Sequence, residues 1–440
     1  MKNFKFIMLL SIVVFFLNQK IFAQTGYLDP SFGVNGIVTY DTITTSNASL
    51  IQSDGKILLL SNSYEGAVVN RFNPDGSFDL AFGKNGRAYF SYGGKVTLDA
   101  HSMALQEDGK IVFTNDYLSG SKLDIGIIRC NPDGSPDSTF GTNGLDTIEM
   151  DNLNISHGLV IQPDGKIVVS GDVRKSNYDE KRTFLFRLLP NGGLDTEFGD
   201  SGIVITHYTS ATNNIGLVIR PDGKLVKGNL YNVYGDHSSF QLESFNPDGS
   251  VDESFGESGV AKYTFGEGQG GTWNTLMYAM AMSDNGKIVC IGISGLGKIS
   301  MAICRFNADG SNDLGFGEKG EVITDYPSPQ YIQLNNLAIQ SDSKIVVCGF
   351  GGAYPIPAVL ARFTAMGQLD PEFGEDGITL TVVDSGSEGK TVHLLPDGKI
   401  LVTGAAGHSH IMILRYNGDN VLASNFKEVK ASQTNGAITI

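Results

Sequence analysis

The sequence of 440 residues is short of several things at once. It has four cysteines, and no two of them form a CxxC pair, so neither a zinc ribbon nor a dithiol redox motif is present. Charged residues are only 18% of the chain, the net charge is -15, and Lys and Arg are nowhere clustered. That excludes the phosphate-neutralising patches on which nucleic acids and anionic membrane surfaces are held. No apolar run reaches the roughly 20 residues of a membrane-spanning helix. No segment keeps a helical apolar period between caps. There is also no GxSxG, no HExxH and no Cys–His nucleophile arrangement, so no catalytic motif identifies an enzyme.

Residues 1–23 read as a secretory signal peptide. Lys2 and Lys5 supply a positive start, Phe6 to Leu17 is apolar apart from Ser11, and Ala23 offers a small residue for cleavage before Gln24. Export to the cell surface or the medium is the expectation, with the periplasm as the other exported compartment. Cys130, Cys290, Cys304 and Cys348 all lie in apolar, strand-like runs, where a thiol packs as a small hydrophobe.

Glycine is the residue in excess: 55 of 440, nearly twice the usual share of about 7%. It follows a repeat. D-x-x-F-G-x-x-G occurs seven times, beginning at Asp29, Asp79, Asp137, Asp195, Asp252, Asp313 and Asp370. A D-G-K-I hairpin signal keeps step with it at Asp54, Asp108, Asp164, Asp222, Asn285, Asp342 and Asp397. So does R-F-N-P-D-G or a degraded form, at Arg71, Arg129, Arg187, Ser244, Arg305, Arg362 and Arg415. Each unit reads as four short strands, as in GRAYFSY, HSMALQ, KIVFTN and DIGIIRCN of the second. One four-stranded sheet cannot bury both faces, whereas sheets stacked around an axis cover one another. The fold expected is therefore all-β: a seven-bladed β-propeller of four-stranded blades over residues 24–420. The small, apolar second strand of each unit belongs at the axis and the first at the rim. A blade then takes strands two to four of one unit and strand one of the next. The strand near Gly36–Tyr40 would join the strands within Val392–Tyr416 and close the ring. The motif phenylalanines Phe32, Phe82, Phe140, Phe198, Phe255, Phe316 and Phe373 are expected as its structural pins.

LDPSFGVNG, QPDGKIVVSG and RFNPDGS together resemble the delta-60 repeat of exported bacterial proteins, over residues 28–420. The resemblance implies a secreted or surface propeller, often joined to a C-terminal sorting domain of type IX secretion. Residues 421–440 then read as a short tail, a linker toward a sorting domain that the given sequence does not contain. The resemblance supplies no activity and no catalytic residues.

Few motifs suggest chemistry. NPDGSFD at Asn73–Asp79 partly matches a calcium loop, but Arg71 stands at its first carboxylate position, so a turn is the better reading and no cofactor is expected. The phosphate-loop-like strings ending at Lys298 and Lys390 lie between strands and lack the helix that receives phosphate. His408 and His410 form an HxH, and His101 and His157 sit at matching places in units two and three; two nitrogens with no nearby third ligand make a weak metal site, so these read as ordinary surface or strand histidines and no metal site is expected.

Strand parity places the ligand face. The repeating turns fall at one end of the strands and the variable connections at the other, and variable loops on a rigid scaffold carry binding. Trp273, the sole tryptophan, lies in this variable set with Tyr117, Tyr178, Tyr231, Tyr234, Tyr326, Tyr331 and Tyr354. Aromatic rings suit sugar or protein contacts. The function expected is a monomeric, non-catalytic binding module for an extracellular glycan or protein. The alternative is a propeller-fold glycosidase or polysaccharide lyase.

Overall fold

In a computed structural model, the described residues are 25–41, 46–63, 66–91, 97–120, 122–150, 153–174, 181–207, 211–232, 239–266, 275–295, 299–326, 331–407, 410–419, 432–434 and 437–439. Among them there is no helix, and none long and apolar enough to cross a membrane. The chain has a β-propeller fold built of four-stranded antiparallel sheets.

Sheet one comprises Ser46–Ile51, Ile57–Ser63, Gly66–Phe72 and Arg87–Phe90 in that order. Sheet two follows with Thr97–Leu105, Ile111–Ser119, Lys122–Cys130 and Leu145–Ile148, and sheet three with Leu153–Ile161, Ile167–Arg174, Lys181–Leu188 and Ile203–His207. A single parallel pair, Leu153 with Leu123, bridges those two. Sheet four is Ala211–Ile219, Leu225–Asn232, Ser239–Phe245 and Val260–Thr264; sheet five is Leu276–Met282, Ile288–Ser294, Ser300–Phe306 and Glu321–Thr324. Sheet six is Ile332–Ile339, Ile345–Gly351, Ala358–Phe363 and Ile378–Thr381. In sheet seven Ser387–Leu394, Ile400–Ala406 and His410–Tyr416 are completed by Ile37–Asp41, which runs antiparallel to His410–Tyr416 from Ile37 opposite Leu414 to Asp41 opposite His410.

The first strand of each sheet packs against the first strand of the next, and that of sheet seven packs against that of sheet one. These are the innermost strands. A short hairpin, Ser432–Thr434 with Ala437–Thr439, lies against the innermost strands of sheets one and three to seven.

The repeat motifs form one joint, used again and again. The seven motif phenylalanines are fully buried. Arg71 lies over Phe82 at 4.4 Å from the ring centre, and its Nε donates to Asp79 Oδ2 at 2.8 Å. Its Nη1 reaches into the next unit, to the Pro132 carbonyl at 2.5 Å. Arg187 repeats this with Phe198, Asp195 and Pro247, and Arg415 with Phe32, Asp29 and Pro74, across 341 residues of sequence. The hairpin lysine adds a second cation, as Lys399 does at 3.0 Å from Asp29 Oδ2. Burial alone would raise the Asp29 carboxyl, but hydrogen bonds from Ser31 and Lys399 and the charge of Arg415 bring it down to about 2. Unit four carries Ser244 where the arginine stands elsewhere; there Ser244 Oγ donates to Asp252 at 3.0 Å and Lys224 Nζ at 2.8 Å.

The candidate calcium-loop carboxylates hold the turn itself together. Asp79 Oδ1 accepts from the Ala81 amide, and Asp75 Oδ1 accepts from the amide and hydroxyl of Ser77. The motif glycine is required by its turn: Gly83 has φ of +50°, and a Cβ there would lie 2.2 Å from the Arg87 carbonyl oxygen. The four cysteines are buried thiols, and Cys290 and Cys304 stand directly opposite each other on adjacent strands.

Candidate functional site

Every innermost strand breaks register with its neighbour at the same place in its sheet, and Thr97–Leu105 breaks a second time, between Thr97 and Ala100. The breaks fall between Ser46 and Ala48, Ala100 and Met103, Ser156 and Gly158, and Asn214 and Gly216. The other three fall between Met277 and Ala279, Leu334 and Asn336, and Gly389 and Lys390's far neighbour Thr391. A bulge of this kind leaves one residue unpaired and re-aims its side chain. Here it presents Asn47, His101, His157, Ile215, Tyr278, Asn335 and Lys390, each half-buried on the inner rim. Their chemistry differs from unit to unit although the backbone device repeats.

On sheets six and seven the rim is a polar ladder. Tyr331 Oη donates to Gln333 Oε1 at 2.5 Å, and Gln333 Nε2 donates to Asn335 Oδ1 at 2.9 Å. Asn335 Nδ2 then crosses to the next innermost strand, meeting the Gly389 carbonyl at 2.7 Å and Glu388 Oε1 at 3.2 Å. Lys390 Nζ pairs with the same Glu388 oxygen at 2.5 Å. Alternation along the strand places residues 331, 333 and 335 on one face, so the ladder descends from the variable-loop end inward. Burial, then the charge of Glu388, raises the Tyr331 hydroxyl; burial, then Tyr331, pushes Tyr278 up to about 12. Both stay neutral hydrogen-bonding groups at neutral pH. Half-buried Ile155, Ile215 and Leu276 give other parts of the rim an apolar surface.

Of the aromatic residues singled out from sequence, Tyr331 and Tyr354 are exposed, at 40% and 78%. Tyr331 also meets Phe350, with ring centres 5.7 Å apart. Tyr117 and Tyr326 are instead buried in the sheets, where Tyr326 Oη donates to the Gly351 carbonyl at 3.0 Å. Trp273, Tyr178 and Tyr234 lie outside the described residues, as does the side chain of Tyr231. Gln333, Asn335, Glu388 and Lys390 were not among the sequence candidates. The signal that marks them is a polar residue at alternate positions leading into an otherwise apolar inner strand.

Among the described residues no three His, Cys, Asp or Glu side chains converge as a metal cage. His410 lies at the rim of sheet seven, its Nδ1 2.9 Å from Asp384 Oδ2. His408 lies outside the described residues.

No curated protein matches the sequence. Among solved structures, Drosophila Semaphorin 2a is similar at 8% identity, covering 90% of this chain and 77% of its own, with a TM-score of 0.48. A protein of unknown function from Dyadobacter fermentans DSM 18053 is similar at 10% identity, covering 88% and 100%, with a TM-score of 0.42. Prolyl oligopeptidase B from Galerina marginata, bound to a 35mer substrate, is similar at 12% identity over 91% of this chain, with a TM-score of 0.44. This chain spans about half of that enzyme's length, 51%. The family described as Domain of unknown function (DUF5122) beta-propeller, a close relative of the delta-60 repeat, matches residues 52–82, 106–140, 162–198 and 340–373. Each match runs from the DGK-type hairpin to the motif phenylalanine. The chain is a β-propeller repeat protein that carries DUF5122 repeats in four of its units.

Proposed function

We propose that the chain is an exported, closed propeller of seven blades that binds a ligand without catalysis at the variable-loop end of its inner rim. Seven four-stranded sheets, the pairing of Ile37–Asp41 with the last sheet and the reach of Arg415 to Pro74 support closure. The signal-like residues 1–23 support export, to the surface or the medium or to the periplasm. The domain limits follow: 1–23 leader, 24–420 propeller, 421–440 tail.

The observation that carries the binding reading is the ladder from Tyr331 to Lys390. It sets an exposed aromatic ring above two amides, a carboxylate and an amine, held in place by one another. Stacking on a ring and fixed polar partners beneath it are what a sugar ring, or an aromatic-rich protein loop, requires. The ligand class proposed is therefore an extracellular glycan or protein, with Tyr354 as a further exposed contact and Trp273, Tyr178, Tyr231 and Tyr234 as the further candidates that the sequence offers.

A second reading, a glycosidase or polysaccharide lyase, is favoured by Glu388, a carboxylate on that rim; glycosidases use such carboxylates in pairs. A glycan array combined with a hydrolysis screen separates the two. Retention of a glycan without turnover fits the binding module; release of sugars or unsaturated ends fits the enzyme.

A further inference from the structure

Two neighbouring units depart from the rest of the rim in the same way. His101 and His157 occupy the bulge position of adjacent innermost strands, and each is backed by a buried carboxylate. His101 Nε2 lies 3.1 Å from Asp116 Oδ2, and His157 Nε2 lies 3.2 Å from Asp172 Oδ2. The aspartates are 1% exposed, while the histidine side chains keep 25% and 27% of their surface. Asp116 is fixed further, accepting from Ser156 Oγ at 2.9 Å and from the Ser156 amide. The two imidazole centres are 5.7 Å apart. The same position elsewhere holds Asn47, Ile215, Tyr278, Asn335 or Lys390, so the fold does not require a histidine there.

An ionised carboxylate only accepts hydrogen bonds, so it draws the imidazole hydrogen to Nε2 and puts the basic lone pair on Nδ1. Carboxylate–histidine pairing of this kind orients a metal-ligating ring and raises its basicity. Two imidazoles on one tetrahedral ion, each with a metal–nitrogen distance of about 2.0–2.1 Å, bring their ring centres to within roughly 5–6 Å. We propose that His101 and His157 together bind one divalent transition-metal ion of the zinc type on the inner rim, oriented by Asp116 and Asp172. With two protein ligands, the remaining coordination positions belong to water or to a ligand's oxygen or nitrogen atoms.

The test is a calorimetric titration of the full chain, carrying no histidine tag, with Zn²⁺ at neutral pH. One ion per chain is expected. His101→Gln and His157→Gln should each abolish that binding, and Asp172→Asn should weaken it about 10- to 100-fold. Circular dichroism on each variant establishes that it is folded, and two independent histidine variants keep the test decisive if one of them is not. His410→Gln should leave binding unchanged. Absence of binding to the wild type, binding retained in both folded histidine variants, or loss of the ion in His410→Gln would each overturn the proposal.

Discussion

Ser49 Oγ meets His393 Nε2 at 2.6 Å, joining two innermost strands whose sequence positions are 344 residues apart. Thr391 and Thr403 bond to the same hydroxyl, so the seam between the last sheet and the first holds a buried polar knot. Burial drives the His393 imidazole down to about 3 from an ordinary 6.5. The folded form therefore keeps it neutral while the unfolded chain protonates it. Stability present above pH 6.5 should be lost as pH falls from 6.5 toward 3, by up to roughly 4–5 kcal/mol. Urea unfolding across that range measures it, and His393→Gln should flatten the dependence. An equal slope in wild type and variant would refute the assignment.

The same seam depends on Ile37–Asp41. Removing residues 24–42 strips the outer strand from sheet seven and exposes the edge of His410–Tyr416. The melting temperature should fall markedly and the chain should begin to self-associate; an unchanged melt would show that the strand does not close the ring.

Among the arginines of the repeated joint, Arg362 is the most enclosed. Its side chain is fully buried between Asp370 Oδ2, 2.9 Å from Nε, and Asp419 Oδ2, 2.8 Å from Nη1. Arg415 keeps 15% of its surface. In each joint the hairpin lysine stays beside the aspartate, as Lys344 does at 3.3 Å from Asp370, so the difference lies in how deeply the lost arginine was buried, and a buried pair costs more to break than a partly solvated one. Arg362→Ala should therefore destabilise more than Arg415→Ala in denaturant unfolding, and the reverse order would contradict the ranking.

Lys227 is buried between sheets three and four. Its Nζ lies 2.8 Å from Glu243 Oε2 and donates to Thr183 and Thr206. Burial pushes the Lys227 amine down and the Glu243 carboxyl up, so each relies on the other to carry a charge there. Lys227→Met or Glu243→Leu alone should cost about 3–5 kcal/mol, while both changes together should come out near neutral. A double-mutant cycle checks this; additive losses would mean that the two side chains do not depend on each other.

The joints were legible because they recur. A turn that needs Gly at positive φ, a phenylalanine under an arginine and an aspartate beside it impose the same residues on every unit. Even unit four, where Ser244 interrupts the pattern, keeps Asp252 and bonds it through Lys224. The bulges of the rim were not legible, for the opposite reason, although alternate polar residues mark the ladder on sheets six and seven. The bulge residues run from Ile215 to Lys390, and nothing in the local sequence reveals a one-residue slip in register. Tyr117 and Tyr326 illustrate the other limit. They stand where strands enter variable loops, and only packing decided that their rings turn into the sheets.

Binding at the inner rim is tested most directly by hydrogen–deuterium exchange of the chain with and without a ligand retained on the glycan array or drawn from a panel of purified extracellular proteins. Protection is predicted in residues 331–335 and 387–390, and should disappear when Gln333→Ala and Asn335→Ala are combined. Protection confined to the outer strands, such as Arg87–Phe90, with affinity unchanged by those substitutions, would contradict it.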